Sequence, residues 1–149
     1  MKKLYSLEGG YEKSRKVLDV RMLPKLHSLS WTNGVVEHVK FGKKSRFQDI
    51  DLSGNQLSGA WDLSKFKNIE TFICDNNRIT SIDLGKMTQN LMIYCRNNKL
   101  KKFKASYCSN LSELDTRGNR GVKVYMNSSD SECMSWKFGK TAKVYYQYK

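Results

Sequence analysis

A repeat solenoid of α/β type, built mostly of strand and loop, is the fold class this sequence predicts. Three observations predict it. Asn55, Asn77, Asn98 and Asn119 recur at a near-constant interval, the first spacing being longer by one than the other two. The same frame of apolar residues surrounds each of them, and self-similarity at a short fixed period is the mark of a repeat architecture. The composition, 39% hydrophobic and 28% charged over 149 residues, is that of one soluble globular domain and excludes a disordered chain. No run approaches the ~20 apolar residues of a membrane helix, so no membrane insertion is expected.

The frame can be followed copy by copy. Phe47, Ile50 and Leu52 precede Asn55, and Leu57 follows it. Ile69, Phe72 and Cys74 precede Asn77; Ile79, Ile82 and Leu84 follow. Ile93 and Cys95 precede Asn98; Leu100, Phe103 and Ala105 follow. Leu111 and Leu114 precede Asn119; Val124 and Met126 follow. One period upstream the frame returns about Gly34, with Leu26, Leu29 and Trp31 before it and Val36, Val39 and Phe41 after it. Leu18 and Val20 form a half-copy before that. Cys133, Trp136, Phe138, Val144 and Tyr146 form a last copy without the asparagine.

Such a frame has a physical logic. Single repeats cannot bury their apolar edge, whereas stacked repeats share a continuous core. In each apolar-x-apolar segment alternate residues face in, as in a short strand. The asparagine turns the chain inward, and its amide can satisfy buried backbone groups, so successive asparagines should form a ladder.

The copies Phe72-Ile73-Cys74-Asp75-Asn76-Asn77-Arg78-Ile79 and Ile93-Tyr94-Cys95-Arg96-Asn97-Asn98-Lys99-Leu100 resemble the leucine-rich repeat L-x-x-L-x-L-x-x-N-x-L. Together with Ile82-Asp83-Leu84 they are similar to short bacterial repeats of the surface or secreted type. The resemblance covers nearly the whole chain. It implies a right-handed solenoid of about five repeats, with a parallel sheet on the concave face and terminal caps. Turns and loops, with short strands at most, are expected behind that sheet. Residues 1–25 are read as an N-terminal half-repeat and cap, 26–121 as repeats, and 122–149 as a C-terminal cap. The strand Lys143-Val144-Tyr145-Tyr146-Gln147-Tyr148 is expected to cover the open end. The sequence departs from the pattern at Gly34, at Thr116 and Gly121 in place of leucines, and at Asn90-Leu91, which is slipped by one.

Catalytic and metal chemistry find little to work with. The chain has two histidines, His27 and His38, and no H-E-x-x-H or G-x-S-x-G motif. Gly9-Gly10 reads as a turn near the N-terminus, not as a phosphate-binding loop. Asp49 and Asp51 read as outer-surface charge. The four cysteines, Cys74, Cys95, Cys108 and Cys133, contain no Cys-x-x-Cys pair. Cys74 and Cys95 share one inward position in adjacent repeats and read as buried core thiols. No enzyme activity, cofactor or metal is expected.

Binding is the expected function, and the register names the surface. The side chains pointing out of the parallel sheet are Ser28, Ser30 and Thr32; Asp49, Asp51 and Ser53; Thr71, Ile73 and Asp75; Met92, Tyr94 and Arg96; and Glu113, Asp115 and Arg117. Lys137 continues the series. Ile73, Met92 and Tyr94 then form an apolar centre with a charged rim, the usual make-up of a protein interface. A protein partner is therefore expected on the concave face.

A second reading comes from charge. The formal net charge is +13, with 11 basic and 4 acidic residues in 1–46, 3 and 6 in 47–85, and 13 and 4 in 86–149. A flank carrying Lys99, Lys101, Lys102, Lys104 and Lys123, with His38, Lys40, Trp61 and Tyr125 also facing outward, could bind nucleic acid or an acidic polysaccharide. The first residues carry no apolar run behind their lysines. The chain as it stands therefore reads as cytoplasmic, or as surface or secreted if a signal precedes it.

Overall fold

The structure, a computed structural model, describes residues 3–43, 46–127 and 135–147. Cys133 and Tyr148 lie outside them. The chain forms a parallel β-solenoid of about six turns. Its strands in chain order are β1 (Ser6–Gly10), β2 (Val17–Asp19), β3 (Ser28–Thr32), β4 (His38–Lys40), β5 (Asp49–Asp51), β6 (Ser58–Asp62) and β7 (Thr71–Ile73). There follow β8 (Arg78–Asp83), β9 (Leu91–Tyr94), β10 (Lys102–Lys104), β11 (Leu111–Asp115), β12 (Lys123–Asn127), β13 (Ser135–Lys137) and β14 (Lys143–Gln147).

Odd-numbered strands make a seven-stranded sheet in the order β1-β3-β5-β7-β9-β11-β13. Behind it lies a five-stranded sheet, β14-β12-β10-β8-β6, and a two-stranded one, β2-β4. All these pairings are parallel. Behind the first sheet, where turns and loops with short strands at most were expected, short strands pair into a second sheet. In Lys102-Phe103-Lys104 only Phe103 is buried, whereas the alternation is broken in β6 and β8, whose register shifts.

Three expectations are corrected. No described residue is helical, so the α/β assignment does not hold. The connectors are chained tight turns: Phe66 N–H donates to Leu63 O at 2.9 Å, and Ile69 N–H to Phe66 O at 3.1 Å. Leu63, Phe66 and Ile69 are all buried. Anchors spaced three apart leave each connector far short of the ~12 residues that sustain a helix. The number of turns is about six and not five, because the incomplete end copies also form rungs. Gly9 and Gly10 are part of β1, not a turn, and pair with Trp31 and Thr32. A Cβ at Gly9 would come within 2.4 Å of the Trp31 ring, so that ring needs a glycine beneath it. At the other end β14 pairs in parallel with β12, in line with the rungs below it, and its inward-side Tyr146 stays 43% exposed.

The asparagine ladder is built from buried amides. Asn98 Oδ1 accepts from Ile79 N–H at 2.9 Å, and its Nδ2 donates to Cys74 O at 2.9 Å and Cys95 O at 3.3 Å. Asn77 accepts from Leu57 N–H at 2.9 Å and donates to Leu52 O at 3.0 Å. Asn119 accepts from Leu100 N–H and donates to Cys95 O, both at 2.9 Å. Each amide thereby ties its own turn to the one before. The residue preceding each ladder position takes the left-handed conformation: Asn33 (φ 55°), Gly54 (68°), Asn76 (55°), Asn97 (52°) and Gly118 (79°). Asparagine and glycine are the types that tolerate it.

One apolar core runs the length of the stack, from Leu18 and Val20 to Val124 and Met126. Thr116, in a position where the frame expects leucine, is wholly buried and its hydroxyl has no hydrogen-bond partner. Removing a buried unpaired hydroxyl while keeping the side chain's shape should help. Thr116→Val is expected to raise stability by ~1–2 kcal/mol, read as a higher urea midpoint at unchanged slope. A lower midpoint would show that the hydroxyl contributes to the native state.

Candidate functional site

The register of the first sheet brings the outward residues into columns. Ser28, Asp49, Thr71, Met92, Glu113 and Ser135 form one; Ser30, Asp51, Ile73, Tyr94, Asp115 and Lys137 form the next. Of the residues expected on this face, Ser28, Ser30 and Thr32 lie in β3 and Lys137 in β13. Asp49, Asp51, Thr71, Ile73, Met92, Tyr94, Glu113 and Asp115 lie in β5, β7, β9 and β11, while Ser53, Asp75, Arg96 and Arg117 each come two residues after a strand end. Ile73 and Tyr94 are direct cross-strand partners, and Met92 is two residues before Tyr94 on the same strand. All three are half-buried. The slip at Asn90-Leu91 is taken up in β11: Leu91 pairs with Leu111 but Met92 with Glu113, leaving Ser112 as the extra residue.

The rim charges are tied to each other. Arg96 donates through Nε and Nη2 to Asp75 Oδ2, at 2.8 and 2.5 Å, and its N–H donates to Asp75 Oδ1 at 2.6 Å. Arg117 grips Asp115 in the same way, with Nη2 to Oδ2 at 2.6 Å. Both carboxylates are buried and both guanidinium groups reach solvent. Burial pushes the Asp115 carboxyl up, but the hydrogen bonds from Arg117 outweigh it and hold the group below the usual carboxylate range. The Tyr94 hydroxyl donates a short hydrogen bond to Glu113, which raises the phenol above its ordinary value, with burial adding to the effect. Asp51 accepts from the Ser53 hydroxyl at 2.6 Å and from its N–H at 2.9 Å. Asp49 is exposed.

The second sheet distributes the basic flank. Lys102 and Lys123 are register partners, and Lys143 is the next in the same column. Lys104 falls in the neighbouring column and pairs with Asp83 at 3.0 Å. Lys99 and Lys101 are exposed before β10. Beside the lysine column Tyr125 and Tyr145 stack, with ring centroids 5.1 Å apart and planes at 16°. Lys102 Nζ lies 5.2 Å from the Tyr125 ring centre. Sequence reasoning missed Lys143 and Tyr145, although they stand on either side of Val144, which the frame had placed inward.

Trp61 is corrected: it does not face outward. It pairs with Ile82 and packs on the core, 5.7 Å from Phe72 and 6.3 Å from Phe41. Trp61 stands six residues after Asn55, whereas its partner Ile82 stands five after Asn77, so the Asn55 copy carries one residue more before its inward position. One added residue turns the following side chain to the other face. His38 and Lys40 lie exposed on β4, outside the five-stranded sheet.

Cys74, Cys95 and Cys108 are buried. Burial pushes the Cys74 and Cys95 thiols well above their ordinary value, which makes them poor nucleophiles. Among the described residues no three His, Cys, Asp or Glu side chains are grouped to hold a metal ion. Comparison of the chain with protein-family models, curated proteins and solved structures gives no match.

Proposed function

We propose that the chain is a non-enzymatic binding module of the leucine-rich-repeat type, which recognises a protein partner through the outward face of its first sheet. Support for the repeat assignment comes from the apolar-x-apolar strand, the buried asparagine that follows it and the near-constant period at which both recur. The reading of function rests on one observation: Ile73, Met92 and Tyr94 make a contiguous apolar patch on adjacent strands, fixed by backbone pairing. Around it the Asp75–Arg96 and Asp115–Arg117 pairs hold their guanidinium groups in place before any partner arrives. Rigid aromatic and arginine anchors lose little entropy on binding.

Charge narrows the partner. The carboxylates of Glu8, Asp49 and Asp51 form no ion pair among the described residues, and they lie on the N-terminal side of the patch. A partner that fits presents an apolar side chain with basic residues beside it. The test uses the immobilised wild-type protein and a Met92→Ala/Tyr94→Ala variant to capture partners at low and high salt. A captured protein is then purified and titrated against both. The variant is expected to bind it at least about tenfold more weakly. Equal affinity of the two would refute the assignment of this face.

A further inference from the structure

The second sheet carries a different feature, independent of the face just described. Lys102, Lys123 and Lys143 occupy one column of consecutive rungs, β10, β12 and β14. Parallel strands stand ~4.8 Å apart, so three ammonium-bearing side chains leave the sheet at that interval. All three are exposed. None lies within ion-pair distance of a carboxylate among the described residues, whereas their neighbour Lys104 is neutralised by Asp83. Like charges directly opposite one another destabilise a sheet. A row of them is therefore a cost in the free protein that a linear polyanion would convert into binding energy.

We infer that this lysine column, with the Tyr125–Tyr145 pair beside it, is a binding site for an acidic polysaccharide laid across the rungs of the second sheet. The aromatic geometry selects the class. Proteins that hold single-stranded nucleic acid offer open aromatic faces to the bases. Here Tyr125 has one face against Tyr145 and the Lys102 ammonium over its ring. Tyr125 thus has neither ring face open to a base, and the phenol hydroxyls of the pair suit hydrogen bonding to sugar hydroxyls, while the lysines meet carboxylate or sulfate groups. The sheet is also regular at this point: Lys102, Phe103 and Lys104 pair with Lys123, Val124 and Tyr125 without a register shift, so the charges form a straight row.

The test titrates the full chain with fluorescently labelled polygalacturonate, heparin and oligo(dT) at two salt concentrations. Two variants of equal net charge are compared with wild type: Lys102→Gln/Lys123→Gln/Lys143→Gln, and a control, Lys13→Gln/Lys16→Gln/Lys25→Gln. The column variant is expected to bind at least one of the two polysaccharides about tenfold more weakly, since three exposed contacts of modest strength are lost. Its affinity should also fall less steeply with salt, and its urea midpoint should not drop below that of wild type. The control variant should bind as wild type does. Equal losses in both variants would reduce the effect to net charge and overturn the site. Tighter, column-dependent binding of oligo(dT) than of either polysaccharide would overturn the ligand class.

Discussion

Asn98→Ala is expected to cost ~3–5 kcal/mol of folding stability, because it strands two or three buried backbone groups at ~1–3 kcal/mol each. Asn98 sits in the middle of the ladder. Its Oδ1 is the acceptor for Ile79 N–H, and its Nδ2 serves the carbonyls of Cys74 and Cys95. Cys74 and Ile79 flank the preceding asparagine, so the loss would loosen the join between two turns as well as one turn. Stability in a solenoid is set by such joins, since each repeat touches only its neighbours. Urea unfolding followed by far-UV circular dichroism measures the effect. Asn110→Ala, an exposed asparagine in a connector, is the control and should change stability by no more than ~0.5 kcal/mol. A loss below ~1 kcal/mol for Asn98→Ala would mean that water replaces the amide, and that the ladder is not what joins the turns.

Gly118→Ala is the second large effect, expected at ~3 kcal/mol, of which the left-handed backbone alone accounts for ~1–2 kcal/mol. Gly118 has φ +79°, and a Cβ there would stand 2.1 Å from Asn97 Oδ1 and 2.8 Å from Asn97 N. The side chain of Asn97 cannot simply swing away, since its Nδ2 donates to Asn76 Oδ1 at 2.9 Å. Its backbone is held by the bond from its N–H to Arg117 O at 2.9 Å. Gly121 supplies the comparison. It has φ +69° but nothing within 4 Å of a Cβ. Gly121→Ala should therefore show the backbone cost without the clash, ~1–2 kcal/mol. Equal losses at the two positions would show that Asn97 gives way and that close stacking of the turns contributes nothing there.

The outward columns of the first sheet were legible in the sequence because facing is a local property. An apolar-x-apolar segment of three residues sets which side chains point in, whatever the rest of the chain does. Ile73, Met92 and Tyr94 were placed on one face in this way, and the register agrees. The ladder was legible for a similar reason, as the asparagine has a fixed place relative to its strand. The ion pairs were legible in principle, too. Asp75 and Arg96, like Asp83 and Lys104, stand one period apart along the chain and so become neighbours once turns stack. Trp61 defeated the reading because one extra residue before it inverts its side of the sheet.

By itself the sequence determined the period, the inward frame, the asparagine ladder and the outward face of the first sheet, because each depends on short-range spacing. Tertiary structure alone decided the rest. It added strands of both incomplete end copies to the stack, paired the short strands behind the first sheet into a second sheet, and set Lys102, Lys123 and Lys143 in a single column beside two stacked tyrosines. The reason is that these features depend on how many residues each turn consumes before the next strand begins. Bulges and tight turns adjust that count, and their positions are fixed only when all the turns pack on one core.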